Sequence, residues 1–97
     1  MNLGRIERLS FLEQKRSMDL LAKLMEECGE LASEVAIDDG VVGYAYKNPG
    51  EDGIRGECVD ILLVVLCLYF KNGGSIGELE ERVMSKCDKW EKVSINE

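Results

Sequence analysis

The sequence has no histidine and a single proline, and only 6% of its 97 residues are aromatic. Without histidine there is no Ser-His-Asp or Cys-His catalytic group, no His-bound zinc and no Glu-x-x-His di-iron centre. Basic charge is scarce: 12 Lys and Arg stand against 19 Asp and Glu, a net charge of −7. Nucleic acid and anionic membranes need clustered positive charge, so neither is an expected partner. The longest apolar run, Ile61 to Phe70, is about half of what spans a bilayer. Residues 1–15 carry charges throughout, which is unlike a signal peptide. The four cysteines, Cys28, Cys58, Cys67 and Cys87, show no Cys-x-x-Cys spacing. They read as small apolar residues of helices in a reducing cytoplasm.

What remains has the size of one domain, 1–97, and the apolar content of a folded one: 45% apolar, 32% charged. Four helices can be read and no convincing strand, an all-α fold. The first runs from Leu3 to Lys15, with Leu3, Ile6, Leu9 and Leu12 as its stripe. The second starts at Ser17 as N-cap and runs to Ile37, with Leu20, Leu24, Cys28, Leu31 and Val35 at helical spacing. Residues 38–53 are a glycine-bearing loop, read either as a lid over substrate or as a plain linker, with Val41 to Tyr46 a possible extended piece. The third helix runs from Gly53 or Ile54 to Lys71. Ser75-Ile76-Gly77-Glu78 is a capping box that opens the fourth, which ends near Val93. Leu79, Val83, Cys87 and Trp90 mark its apolar face, Trp90 as a core residue.

Past Asp60 the third helix is apolar on every side. A helix apolar all round must be covered all round. Three sibling helices of this length are too few, so a shared core in a homo-oligomer is expected.

Two acid clusters carry the chemistry. The second helix holds Glu26, Glu27 and Glu30; the third holds Glu57 and Asp60. Residues three apart on a helix share a face. If the two helices pack antiparallel, the pairs face each other and make a four-carboxylate site. Ionised carboxylates that close repel, and a divalent cation removes the penalty. Oxygen donors alone point to Mg²⁺, with Mn²⁺ as a substitute. Such a cation would bring phosphate chemistry to an acidic protein. The competing reading is a solvated acidic face on the second helix and an exposed first turn, where acids favour a helix N-terminus, on the third.

The string Lys23-Leu24-Met25-Glu26-Glu27-Cys28-Gly29-Glu30-Leu31, followed by Glu57-Cys58-Val59-Asp60 and an apolar helix, resembles the MazG-type all-α nucleoside triphosphate pyrophosphohydrolases. Their signature is Glu-Glu-x-x-Glu, a gap, then Glu-x-x-Asp, and the likeness covers residues 17–90. It implies a Mg²⁺-dependent cleavage of (d)NTP to (d)NMP and pyrophosphate in nucleotide-pool house-cleaning. It also implies self-association, as a dimer or as a homotetramer built from tight dimers. Carried over, the metal ligands are Glu27, Glu30, Glu57 and Asp60, and Glu26 is an outer group that positions water. Lys86 and Lys89 of the last helix, and more weakly Lys71, would contact phosphates; ordinary surface solubility is the competing reading. The chain has no His for base contact and only Phe11 in its first helical segment. Phosphoribosyl-ATP pyrophosphohydrolases share the acid motif but usually continue it with Leu-x-Tyr-His. This chain has Ile61-Leu62-Leu63-Val64 there, which ranks that activity second. A non-catalytic helical binding module is the rival of another class.

Overall fold

A computed structural model describes residues 1–41, 50 and 53–96. It contains four helices and, among the described residues, no strand: α1 (Leu3–Leu12), α2 (Ser17–Asp38), α3 (Gly53–Lys71) and α4 (Ile76–Asn96). The all-α expectation holds. Of Val41 to Tyr46, read as a possible extended piece, all but Val41 lie outside the described residues, as does most of the candidate lid.

Side-chain caps set the helix starts. Asn2 Oδ1 accepts the Arg5 N–H at 2.9 Å and opens α1. This helix stops at Leu12, three residues before the expected end, because Glu13 turns extended at ψ 123°. Ser17 is not the cap of α2 but its first helical residue. The Arg16 N–H donates to the Asp19 carboxylate at 3.0 Å, and the Ser17 hydroxyl accepts from Asn72 Nδ2 at 3.1 Å. The α4 start is as expected: Ser75 Oγ accepts the Glu78 N–H at 3.2 Å. The other half of that capping box is absent, since the Glu78 carboxylate instead pairs with Arg82 at 2.8 Å.

The Ser17–Asn72 bond joins the start of α2 to the end of α3, so the two helices run antiparallel. The same end is closed by Lys71, whose ammonium donates to the Glu13 carbonyl. Gly73, at φ 93°, permits the left-handed turn between α3 and α4. There the Gly74 N–H reaches back to the Tyr69 carbonyl at 3.0 Å. Leu20, Leu66 and Phe70 form the buried apolar centre, Phe70 fully enclosed.

That centre is small. Val59, Leu62, Leu63 and Val65 of α3 are all more than 40% exposed. Leu9 and Leu12 of the α1 stripe, and Val35 of the α2 stripe, are exposed as well. Within the chain, α4 makes close backbone approach to α1 but to neither α2 nor α3. Trp90 is therefore not a core residue; it is 72% exposed. Three of the four thiols, Cys28, Cys58 and Cys87, also face solvent rather than a core, and all four are free. An apolar groove of 560 Å³ runs between α3 and the first turns of α4, lined by Leu62, Val65, Leu79 and Val83 among others.

Phe70→Ala should cost about 3–5 kcal/mol, since among the described residues it is the one fully enclosed large side chain. Urea unfolding followed by circular dichroism would show the midpoint fall. An unchanged midpoint would mean that the buried centre lies elsewhere.

Candidate metal centre

The antiparallel pairing carries the acids of α2 to those of α3, about midway along α2 and near the start of α3. Glu27, Glu57 and Asp60 each place a carboxylate oxygen within 4.8 Å of the other two. Glu27 is buried at 5% exposure, Glu57 is half-buried, and Asp60 is the most open of the three. The i,i+3 step from Glu57 to Asp60 puts both on one face of α3. Glu27 projects into that face from the facing turn of α2.

One oxygen of Glu27 is satisfied: the Lys23 ammonium lies 2.9 Å from Oε1. Its other oxygen, and Oε2 of Glu57, are buried with no hydrogen-bond partner. Buried polar atoms are almost always paired, and two orphaned oxygens on carboxylates that stand this close call for a cation or a proton. The titration behaviour agrees. Glu57 is pushed up from 4.5 to about 7, first by the facing Glu27 carboxylate, then by burial, and then by the charges of Glu30, Glu27 and Asp60. Glu27 is held below its ordinary value, chiefly by Lys23. The two residues are pushed in opposite directions, Glu27 toward its ionised form and Glu57 toward its protonated form.

The donor set is three carboxylates with no nitrogen or sulfur, the chemistry of a hard divalent cation. The residues fit such an ion, which would take the place of the proton between the two orphaned oxygens.

The other expected site residues are placed differently. Glu30 is exposed and stands outside the three-oxygen group, though its charge is felt at Glu57. Glu26 is exposed beside it on α2. Glu34, one turn beyond Glu30, accepts the Gly50 N–H and so ties the chain ahead of α3 to α2. Lys71 sits at the opposite end of α3 from Glu57, occupied with the Glu13 carbonyl. Lys86 and Lys89 are exposed on α4, which does not approach α2. The structure thus brings together Glu27, Glu57 and Asp60, sets Glu26 and Glu30 at their margin, and brings none of the three expected lysines to them. The cation that does touch the cluster is Lys23. Its sequence signal is the i,i+4 spacing to Glu27.

Residues 15–93 match the model of the MazG nucleotide pyrophosphohydrolase domain. The chain is also 30% identical over 66 residues to a phosphoribosyl-ATP pyrophosphatase of Lactiplantibacillus plantarum, a match covering 68% of this chain and 56% of that protein. The chain thus spans just over half the length of the curated relative it matches. No solved structure matches it.

The raised Glu57 value fixes a pH dependence. A group that binds its proton more tightly when folded stabilises the fold below its unfolded value and loses that contribution as pH rises through its folded value. For Glu57 the window runs from 4.5 to about 7. The lowered value of Glu27 acts only below 4.5. In chelator-treated protein the thermal midpoint should therefore fall as pH rises from 5 to 7.5, on the order of the window set by Glu57. Glu57→Gln should flatten that slope. A wild-type midpoint that rises across the same range would contradict the proton assignment.

Proposed function

The chain belongs to the MazG nucleotide pyrophosphohydrolase domain family, and from that premise we propose that it hydrolyses (d)NTP to (d)NMP and pyrophosphate with Mg²⁺, Mn²⁺ serving as a substitute. The observation that carries the reading is the pair of orphaned buried oxygens on Glu27 and Glu57, with Asp60 beside them. Glu27, Glu57 and Asp60 would hold the cation, and Glu30 would join them by a side-chain rotation from its exposed position. When bound, the cation would neutralise charge on the phosphate oxygens and lower the pKa of an attacking water. Glu27, held by Lys23 below its ordinary value, would supply an ionised ligand. Glu57, pushed up to about 7, would hold the cation as its carboxylate. Glu26, exposed at the margin, would orient or deprotonate water from outside. The triphosphate's negative charge is admitted only because the cation inverts the local sign.

Self-association belongs to the same proposal, as a homotetramer built from tight dimers. The uncovered α3 residues and the groove beside α4 form an apolar surface that a second copy would cover. Lys86 and Lys89 act as phosphate ligands in this scheme only if a second copy carries its α4 to the acid cluster. Lys71 is the weakest of the three, since its ammonium is already engaged. The proposed setting is cytoplasmic house-cleaning of nucleotide pools; no described helix is long and apolar enough to cross a membrane.

A second reading has a specific observation behind it. The relative from Lactiplantibacillus plantarum is a phosphoribosyl-ATP pyrophosphatase, so that nucleotide is the alternative substrate. Ile61-Leu62-Leu63-Val64 after the second acid pair still favours (d)NTP.

A nucleotide panel that includes phosphoribosyl-ATP, assayed with Mg²⁺ for monophosphate and pyrophosphate, decides among these. The expected outcome is pyrophosphate from one or more (d)NTPs. Asp60→Ala should lower turnover at least about 100-fold, more than loss of an outer-shell partner costs, with helical circular dichroism intact. Release of no pyrophosphate from any nucleotide would leave a helical binding module as the better reading.

A further inference from the structure

Lys23 is the cation that the sequence pattern left without a role. Among the described residues the ion pairs are Arg16–Asp19, Lys23–Glu27 and Glu78–Arg82, and only Lys23–Glu27 touches the acid cluster. Its geometry is asymmetric. The ammonium takes Oε1 of Glu27 at 2.9 Å and leaves Oε2 buried without a hydrogen-bond partner. The carboxylate is buried, while the lysine side chain is 42% exposed. One end of the pair is fixed in the site, and the other has solvent to swing into.

We propose that Lys23 is the built-in counter-ion of this centre, resisting a bare divalent cation and favouring one that arrives bound to phosphate. The inference rests on the metal-centre reading above. A cation held between Oε2 of Glu27 and the α3 acids would lie on the order of 6 Å from the Lys23 ammonium. That distance follows from the observed pair and an ordinary metal–oxygen bond. At that separation a dipositive ion is repelled even in water-like surroundings, and screening at physiological salt only partly removes the effect. A cation that brings a phosphate chain reverses the sign. The phosphate oxygens give the ammonium an anionic partner, and its exposed stem lets it turn from Glu27 to them. Lys23 thereby makes loading by cation and loading by phosphate mutually dependent. Each binds better when the other is present, a coupling that must be reciprocal.

The test uses Lys23→Met and Lys23→Arg in the full chain at pH 8, above the titration of Glu57. Two affinities are measured: Mn²⁺ alone, by electron paramagnetic resonance of the free ion, and pyrophosphate in the presence of saturating Mn²⁺, by calorimetry. In Lys23→Met, bare Mn²⁺ should bind tighter by about three- to tenfold. Pyrophosphate should bind weaker by a similar factor. Lys23→Arg, which keeps the charge, should stay close to wild type in both, and it stands in if the Met variant does not fold: an Arg variant that loses Mn²⁺-dependent pyrophosphate binding overturns the proposal. Weaker Mn²⁺ binding in Lys23→Met would make Lys23 a positioning residue for Glu27 and overturn the counter-ion role. Unchanged Mn²⁺ binding, or unchanged pyrophosphate binding, would overturn it too. Failure of the wild-type protein to bind Mn²⁺ at all is a different result, because it removes the metal centre itself.

Discussion

Two carboxylates held face to face, Glu27 from α2 and Glu57 from α3, are the constraint around which the rest of this structure is arranged. Their inward oxygens are buried and unpartnered. Left to themselves, two such groups separate or share a proton, and the Glu27 carboxylate pushes the Glu57 carboxyl up to about 7. A pair like this destabilises the contact between two helices unless a cation or a proton intervenes. Its presence between the two helices that pack most closely makes sense as a binding feature rather than as a stabilising one.

The surrounding fold holds that pair in place from both ends. At one end Asn72 bonds Ser17 and Lys71 bonds the Glu13 carbonyl, fixing the close of α3 against the start of α2. Towards the other end Glu34 receives the Gly50 N–H just ahead of α3. Leu20, Leu66 and Phe70 fill the space nearer the first clamp. The acids therefore stand on rigid helices, which is how ligands are kept at a fixed separation without a loop. The opposite faces of α3 and α4 carry no such closure and present their apolar residues outward.

Much of this was legible in the sequence, for identifiable reasons. Helix number followed from apolar periodicity and from Gly73 and Ser75, whose turn and cap operate through local backbone geometry. The acid pair on α3 was legible because charge next to an all-apolar helix needs a partner. What misled were long-range facts. Trp90 reads as core from its spacing, yet α4 leans away from α3 and leaves it exposed. The exposure of Glu30 against the burial of Glu27, at the same spacing, was likewise not readable from α2 alone. Lys23 was hidden because an i,i+4 Lys–Glu pair is ordinary on a helix surface. It gains meaning only when its glutamate proves to be buried opposite another acid.

The central claim is that Glu27, Glu57 and Asp60 jointly hold one divalent cation. Anomalous diffraction from crystals grown with Mn²⁺ tests it most directly. A manganese peak should lie among those three carboxylates in wild-type protein and vanish in Asp60→Ala. A peak confined to Glu26, Glu30 or the crystal contacts, with Glu27 and Glu57 still sharing a proton, would contradict it.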